Sequence, residues 1–273
     1  AALGSALTIW HHCLDMPRES NGKEDKQSGS YLGPHFSNDK IKKYLDKNNY
    51  PYKERMGEGL YDDVSTRLEN GEIIGWFQGR MEFGPRALGA RSIIGDARNS
   101  EMQKKMNLKI KYRESFRPFA PSVLLEYVSE WFEHDKESPY MLMVAPVKEE
   151  KRIPMTDEQR GLFGIDRLNI PRSNITAITH VDYSARIQTV DGKSNERYYR
   201  LIKKFYENTG CPVIVNTSFN VRGEPIVCTP EDAYKCFMRT EMDTLVLENY
   251  VLLKSEQPEW KEKKDWREEF ELD

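Results

Sequence analysis

Three arginines and three glycines share one short stretch, Gly79-Arg80-Met81-Glu82-Phe83-Gly84-Pro85-Arg86-Ala87-Leu88-Gly89-Ala90-Arg91-Ser92, just after an apolar run. Glycine lets backbone approach a ligand closely, and the guanidinium fork binds phosphate or carboxylate oxygens in pairs. One such arginine reads as decoration on a surface turn. Three at this density, in so apolar a loop, point to an anion site. It is not a phosphate loop of the Walker type, because no G-x-x-x-x-G-K-[ST] occurs.

Two further constellations extend this chemistry. Lys109-Ile110-Lys111-Tyr112-Arg113-Glu114-Ser115-Phe116-Arg117-Pro118-Phe119 alternates cations with apolar and aromatic residues. If extended, it would project Lys109, Lys111 and Arg113 from one side and anchor Ile110 and Tyr112 on the other. That strip reads equally as a protected sheet edge or as an RNA-holding surface of phosphate contacts and stacking rings. Asn216-Thr217-Ser218-Phe219-Asn220-Val221-Arg222-Gly223 follows an apolar strand and offers hydroxyls and amides where α/β sheets bind ligands, beyond the carboxyl ends of strands. It also reads as an ordinary Asn/Ser turn. Arg186, in Tyr183-Ser184-Ala185-Arg186-Ile187-Gln188, is by itself a strand-edge arginine. The five histidines form no H-x-x-x-H or H-E-x-x-H pattern, and no G-x-S-x-G elbow occurs. Chemistry here would be electrostatic, built on fixed cations.

The elements that must position these residues alternate in type. Leu60, Val64 and Leu68 share a helical face that Gly71 ends, and Glu72–Phe77 reads as a strand. Ser92–Gly95 is a second strand, and Asn99/Ser100 starts a polar helix to about Leu108. Phe119–Leu125 and Tyr140–Val147 are strands flanking a short helix, Tyr127–Phe132. Tyr198, Leu201, Ile202 and Phe205 define a helix ended by Gly210, followed by the strand Pro212–Val215. Thr229 with Pro230, Glu231 and Asp232 is a strong helix start, and Thr244–Leu247 with Tyr250–Leu253 forms a hairpin. The pattern predicts a mixed α/β domain.

Length and charge set the limits. The 273 residues hold 38% hydrophobic content, enough for a folded core. With 41 basic against 44 acidic groups there is no global field marking a nucleic-acid coat or membrane-surface protein. The charge is segregated: residues 80–117 carry ten basic against four acidic groups, while 254–273 carry five against eight. Apolar runs are too short to span a bilayer, and there is no secretory signal, so a cytoplasmic protein is expected. Cys13, Cys211, Cys228 and Cys236 include no C-x-x-C pair, which fits reduced thiols. Leu3, Leu7, Trp10 and Leu14 fall at helical spacing and call for burial, in a chain that starts without Met. The expected organisation is a terminal helix over 1–18, a polar linker over 19–30, the main domain over 31–253 with a charged, Pro- and Gly-broken excursion over 148–174, and a solvated charged tail over 254–273.

FQGRMEFGPRALGARSIIGDAR, KIKYRESFRPFAPSVL and PVIVNTSFNVRGEPIVCTPEDAY closely resemble the C-terminal half of the O-carbamoyltransferases, which include nodulation, cephamycin and tobramycin carbamoyltransferases. The likeness runs from about Tyr61 to Leu253. It implies a YrdC-like twisted open sheet with flanking helices that binds ATP and carbamoyl phosphate and makes a carbamoyl-adenylate. An N-terminal actin-like domain, to which 1–18 would contribute the last helix, would pass the group to an acceptor hydroxyl. By motif position the resemblance assigns Lys111, Arg117, Arg186 and Ser218 to catalysis and Arg86, Arg113, Asn216 and Asn220 to nucleotide and phosphate binding. Mg²⁺ is expected to arrive with ATP, with no metal held by the protein itself. The related threonylcarbamoyl-adenylate synthases are an alternative, as is an RNA-binding module without carbamoyl transfer. The FGPRALG segment favours the O-carbamoyltransferases.

Overall fold

Among the described residues, short segments, most of them apolar at their centres, pair into a single mixed sheet of nine strands: β1 (Lys53–Glu54), β2 (Ile74–Phe77), β3 (Arg91–Asp96), β4 (Ala120–Leu124), β5 (Met143–Pro146), β6 (Ser184–Val190), β7 (Val213–Ser218), β8 (Thr244–Leu247) and β9 (Tyr250–Leu253). The structure is a computed structural model that describes residues 2–19, 22, 25–168 and 170–262. The strand order is β1-β9-β8-β2-β3-β7-β4-β6-β5. β2–β8 and β4–β6 are parallel and the other pairs antiparallel. The central strands β2, β3 and β4 are buried at every position, so their residues do not alternate between core and solvent, and Arg91, Ser92, Asp96 and Ser122 are buried polar groups within them.

The helices cover this sheet through single apolar faces. Helix Glu196–Thr209 starts where the Asn195 side chain accepts the Tyr198 amide and stops at left-handed Gly210 (φ 72°). It buries Tyr198, Leu201, Ile202 and Phe205, each worth about 1.5–3 kcal/mol of apolar transfer. It packs against helix Glu58–Glu69, whose inward face is Leu60, Val64 and Leu68. Lys204 pairs across the two with Asp62 at 2.7 Å. Helix Pro230–Arg239 begins with a capping box in which Thr229 and Asp232 exchange side-chain and backbone bonds.

Several expectations change. Lys109–Phe119 is not an extended strip: helix Met102–Lys109 runs to Lys109, and Tyr112 takes a left-handed φ of 47°. The basic groups therefore diverge, Lys109 outward to Glu241 (2.6 Å) and Lys111 into the core. Lys109 and Lys111 do not share one face. Helix Asn38–Lys47 is an element the sequence reading lacks, and β6 enters that reading only as a strand edge at Arg186. Of the stretch expected as a linker, Asp25–Ser30 packs onto the domain. The Phe83 amide donates to the Ser30 carbonyl (2.7 Å), Tyr140 bonds Asp25, and Gly29 and Ser30 are buried. The 148–174 excursion closes through an Arg152–Ser173 bridge and contains short helices at Asp157–Arg160 and Gly164–Leu168. Helix Ala2–Thr8 forms, but Leu3, Leu7, Trp10 and Leu14 are 42–57% exposed. Most of the charged tail, 263–273, lies outside the described residues.

Candidate anion-binding site

Because β7 runs antiparallel to both β3 and β4, its carboxyl end meets their starts: Asn216 lies opposite Ile94 and Ala120, and Ser218 opposite Ser92. Beside that junction lies a cavity of about 160 Å³ lined by Arg86, Arg113, Phe119, Met141, Arg186, Asn216, Thr217 and Ser218, with only Pro85, Ala87, Pro118 and Ala120 besides. Three arginines line it and no lining residue carries a carboxylate; Glu114, outside the lining, acts on Arg113. Larger hollows of about 580 and 620 Å³ lie along the N-terminal helix and between Asp25–Gly29 and Asp191–Ser194, the second rimmed by carboxylates of Asp25, Glu137 and Asp191. Neither combines cations with an absence of acid groups, because Glu19 lines the first.

The loop carrying Arg86 is held from inside. Glu82 Oε1 accepts the amides of Leu88 (2.6 Å), Ala90 (2.7 Å) and Arg91 (3.3 Å). Tyr31 and Gln188 both donate to the Leu88 carbonyl (2.7 and 2.8 Å), and Asn216 donates to that of Ala87 (3.1 Å). Gly89 sits at φ 103°, and a Cβ there would lie 2.2 Å from the Tyr198 ring. Of the three arginines expected to form the anion site, only Arg86 reaches the cavity. Arg80 is on the surface, donating to the Gly33 carbonyl. Arg91 is fully buried over the Phe77 ring, 3.5 Å to the centroid, and binds the carbonyls of Gln78, Ala90 and Pro34. Burial pushes Arg91 down to about 10. It is a structural cation, spent on main-chain carbonyls.

Arg186 and Arg86 present like charges to one another. Burial, and then the charge of Arg86, pull Arg186 below the ordinary guanidinium range. Its Nη2 lies 3.9 Å from the Met141 thioether. The Nε atoms of Arg86 and Arg186 are both shut from solvent without an acceptor among the described residues. Arg113 is aimed by Asn107, whose Oδ1 accepts its Nε at 2.7 Å, and stacks near Phe119 with 5.0 Å to the centroid. Burial, then the neighbouring Arg117, push Arg113 down to about 10.

The remaining expected residues sit as follows. Lys111 lies behind the cavity wall, its Nζ donating to the Ser218 carbonyl (2.5 Å), the Asn220 carbonyl (2.9 Å) and Asn220 Oδ1 (2.7 Å). It is 3% exposed, and burial pushes it down to about 7. Asn220 thus holds the Lys111–Ser218 unit and is not part of the lining. Arg117 is not brought in: its Nε pairs with Glu114 at 3.0 Å on a half-exposed turn. Sequence reasoning missed Glu82, Asn107, Ser122 and Gln188. A carboxylate amid the arginines of the first loop was the available sign for Glu82; nothing local marks the others.

This is a mixed α/β domain with a small cationic cavity at a strand-end junction. The chain belongs to the carbamoyltransferase C-terminal family: the profile described as "Carbamoyltransferase C-terminus" matches residues 65–254. It is 61% identical, over its whole length, to an uncharacterized protein of Synechocystis, sll1178, of which it covers 44%. It is 36% identical over 67% of its length to the 3'-hydroxymethylcephem-O-carbamoyltransferase of Streptomyces clavuligerus, of which it covers 31%. The chain therefore spans less than half the length of the curated relatives it matches. Among solved structures it is similar to full-length HypF in a phosphate- and nucleotide-bound form, with TM-score 0.44 and 17% identity over 72% of this chain and 22% of that one.

Proposed function

We propose that this domain activates a carbamoyl group for transfer to a hydroxyl. The observation that carries the reading is the cavity lined by three arginines, two of which, Arg86 and Arg186, repel one another, with no acid side chain in the lining and only Glu114 acting on Arg113 from outside it. Such an arrangement is costly until an anion fills it, because like charges held from solvent repel. About 160 Å³ suits a small phosphorylated molecule such as carbamoyl phosphate. It is well below the several hundred Å³ of usual cofactor pockets, so ATP would place only part of itself there.

In this reading water cleaves carbamoyl phosphate to carbamate and phosphate. A carbamate oxygen then attacks the α-phosphorus of ATP, forming a new P–O bond as the bond to pyrophosphate breaks, and leaves a carbamoyl-adenylate. Arg86, Arg113 and Arg186 hold the phosphoryl oxygens as charge shifts toward the leaving group. Ser218, fixed by Lys111, supplies a hydroxyl at the rim. Mg²⁺ enters with ATP as part of the substrate, relieving triphosphate repulsion. Transfer to the acceptor hydroxyl belongs to a further domain of the longer, cytoplasmic protein. The exposed apolar face of the N-terminal helix, Leu3, Leu7, Trp10 and Leu14, supports a companion surface there.

Calorimetric titration with carbamoyl phosphate and with ATP tests this. Both should bind, and together they should release pyrophosphate and phosphate in equal amounts. A folded chain that binds neither overturns the proposal.

A further inference from the structure

Asn216 is 1% exposed and is one of the residues lining the cavity, yet the two ends of its amide are not equivalent. Gln188 Nε2 donates to the Leu88 carbonyl (2.8 Å), which makes Gln188 Oε1 an acceptor. Asn216 Nδ2 lies 2.8 Å from that oxygen and 3.1 Å from the Ala87 carbonyl. Both neighbours accept, so the nitrogen end of Asn216 must face them. Tyr198 and Ser122 complete the chain, Tyr198 donating to Ser122 (2.9 Å) and Ser122 to Gln188 (2.7 Å). The amide cannot flip without setting acceptor against acceptor twice. Its Oδ1 is left buried and without a donor among the described residues.

Buried acceptors left unmet are uncommon and costly. Phosphate oxygens only accept at the pH of a cell once ionised, so they repel Oδ1. A ligand that suits this wall has an anionic end for the guanidiniums and an N–H end for Asn216.

We infer that Asn216 is the specificity-determining residue that recognises the N–H of a carbamoyl group and so separates carbamoyl from acyl phosphates. This deepens the function proposed above and rests on it. Oδ1 is closed to solvent in the free chain, so the N–H meets it as the wall opens when Arg86 and Arg186 spread around the phosphoryl group. An acetyl analogue presents a methyl at the same place and leaves the oxygen unmet.

The test uses two stable probes of one shape, phosphonoacetamide and acetonylphosphonate, which differ by NH₂ against CH₃. Titrated into the wild-type chain, the amide should bind about tenfold more tightly. Asn216→Leu should bring both to the affinity of the methyl compound. If that variant fails to fold, the wild-type pair still decides. Equal binding of the two probes to the wild type overturns the inference while leaving the anion site standing. Binding of neither removes the functional reading and this one with it.

Discussion

Arg186→Met separates what the cavity does for ligands from what it does for the fold. Methionine retains most of the apolar stem beside Met141 and deletes the charge that faces Arg86. At an effective dielectric of about 20, a guanidinium about 6 Å from a unit negative charge contributes about 3 kcal/mol, which is about a hundredfold in affinity. Without ligand the same charge only adds repulsion and desolvation. Its removal should therefore stabilise the chain by about 1 kcal/mol, raising the melting temperature by about 2–4 °C for a domain of this size. The assay is paired: calorimetric titration with phosphonoacetamide, and thermal melting without ligand. Opposite signs are expected, weaker binding with a higher melting point. A variant that binds as well as the wild type, or that melts several degrees lower, would refute the argument that Arg186 is held uncompensated for an anion.

Other perturbations follow from the same contacts. Gly89→Ala forces a Cβ into the Tyr198 ring at a φ of 103°, so it should cost more than about 3 kcal/mol and give little soluble protein, read by expression yield and urea denaturation. Glu82→Gln replaces a charged acceptor of three amides by a neutral one and puts a buried amide NH₂ where Oε2 has no partner among the described residues. A loss of about 1–2 kcal/mol in urea denaturation is expected. Lys111, at about 7 when folded and near 10.5 when unfolded, holds its proton in the unfolded chain across that window and not in the folded one. Its penalty is complete below pH 7 and relieved as pH rises. Denaturation midpoints should climb from pH 7 toward 10 in the wild type and climb less in Lys111→Met; identical slopes would contradict the assignment.

What the sequence made legible were the elements with strong periodicity or punctuation. Helix Glu196–Thr209 shows four large residues on one face and a Gly stop, and helix Pro230–Arg239 shows a cap with proline at its first position. Helix Asn38–Lys47 escaped because only Ile41 and Leu45 in a charged decapeptide go inside. Strand β6 is legible only as an edge at Arg186, because its Arg and Gln interrupt the apolar run, and those two residues belong to the cavity and its support. Local sequence also does not tell Arg86 from Arg91. Five residues apart in one loop, one lines the cavity and the other is buried at the start of a central strand, a difference decided by sheet register. Arg186 came into view through the family likeness, since a lone strand-edge arginine carries no local mark.

The position of Glu82 explains how a loop containing an acid can still present an uncompensated cation. Four residues before Arg86, it is near enough along the chain to neutralise it. Its carboxylate instead turns inward and is only 5% exposed, with three main-chain amides on one oxygen. Those charge-assisted bonds to fixed donors outweigh a flexible surface ion pair worth about 0–1 kcal/mol. The same bonds set the path of the backbone from Leu88 to Arg91, and hence where Arg86 stands. Glu82 thus both shapes the loop and withholds its charge from the cavity, leaving the charge of Arg86 to act on Arg186.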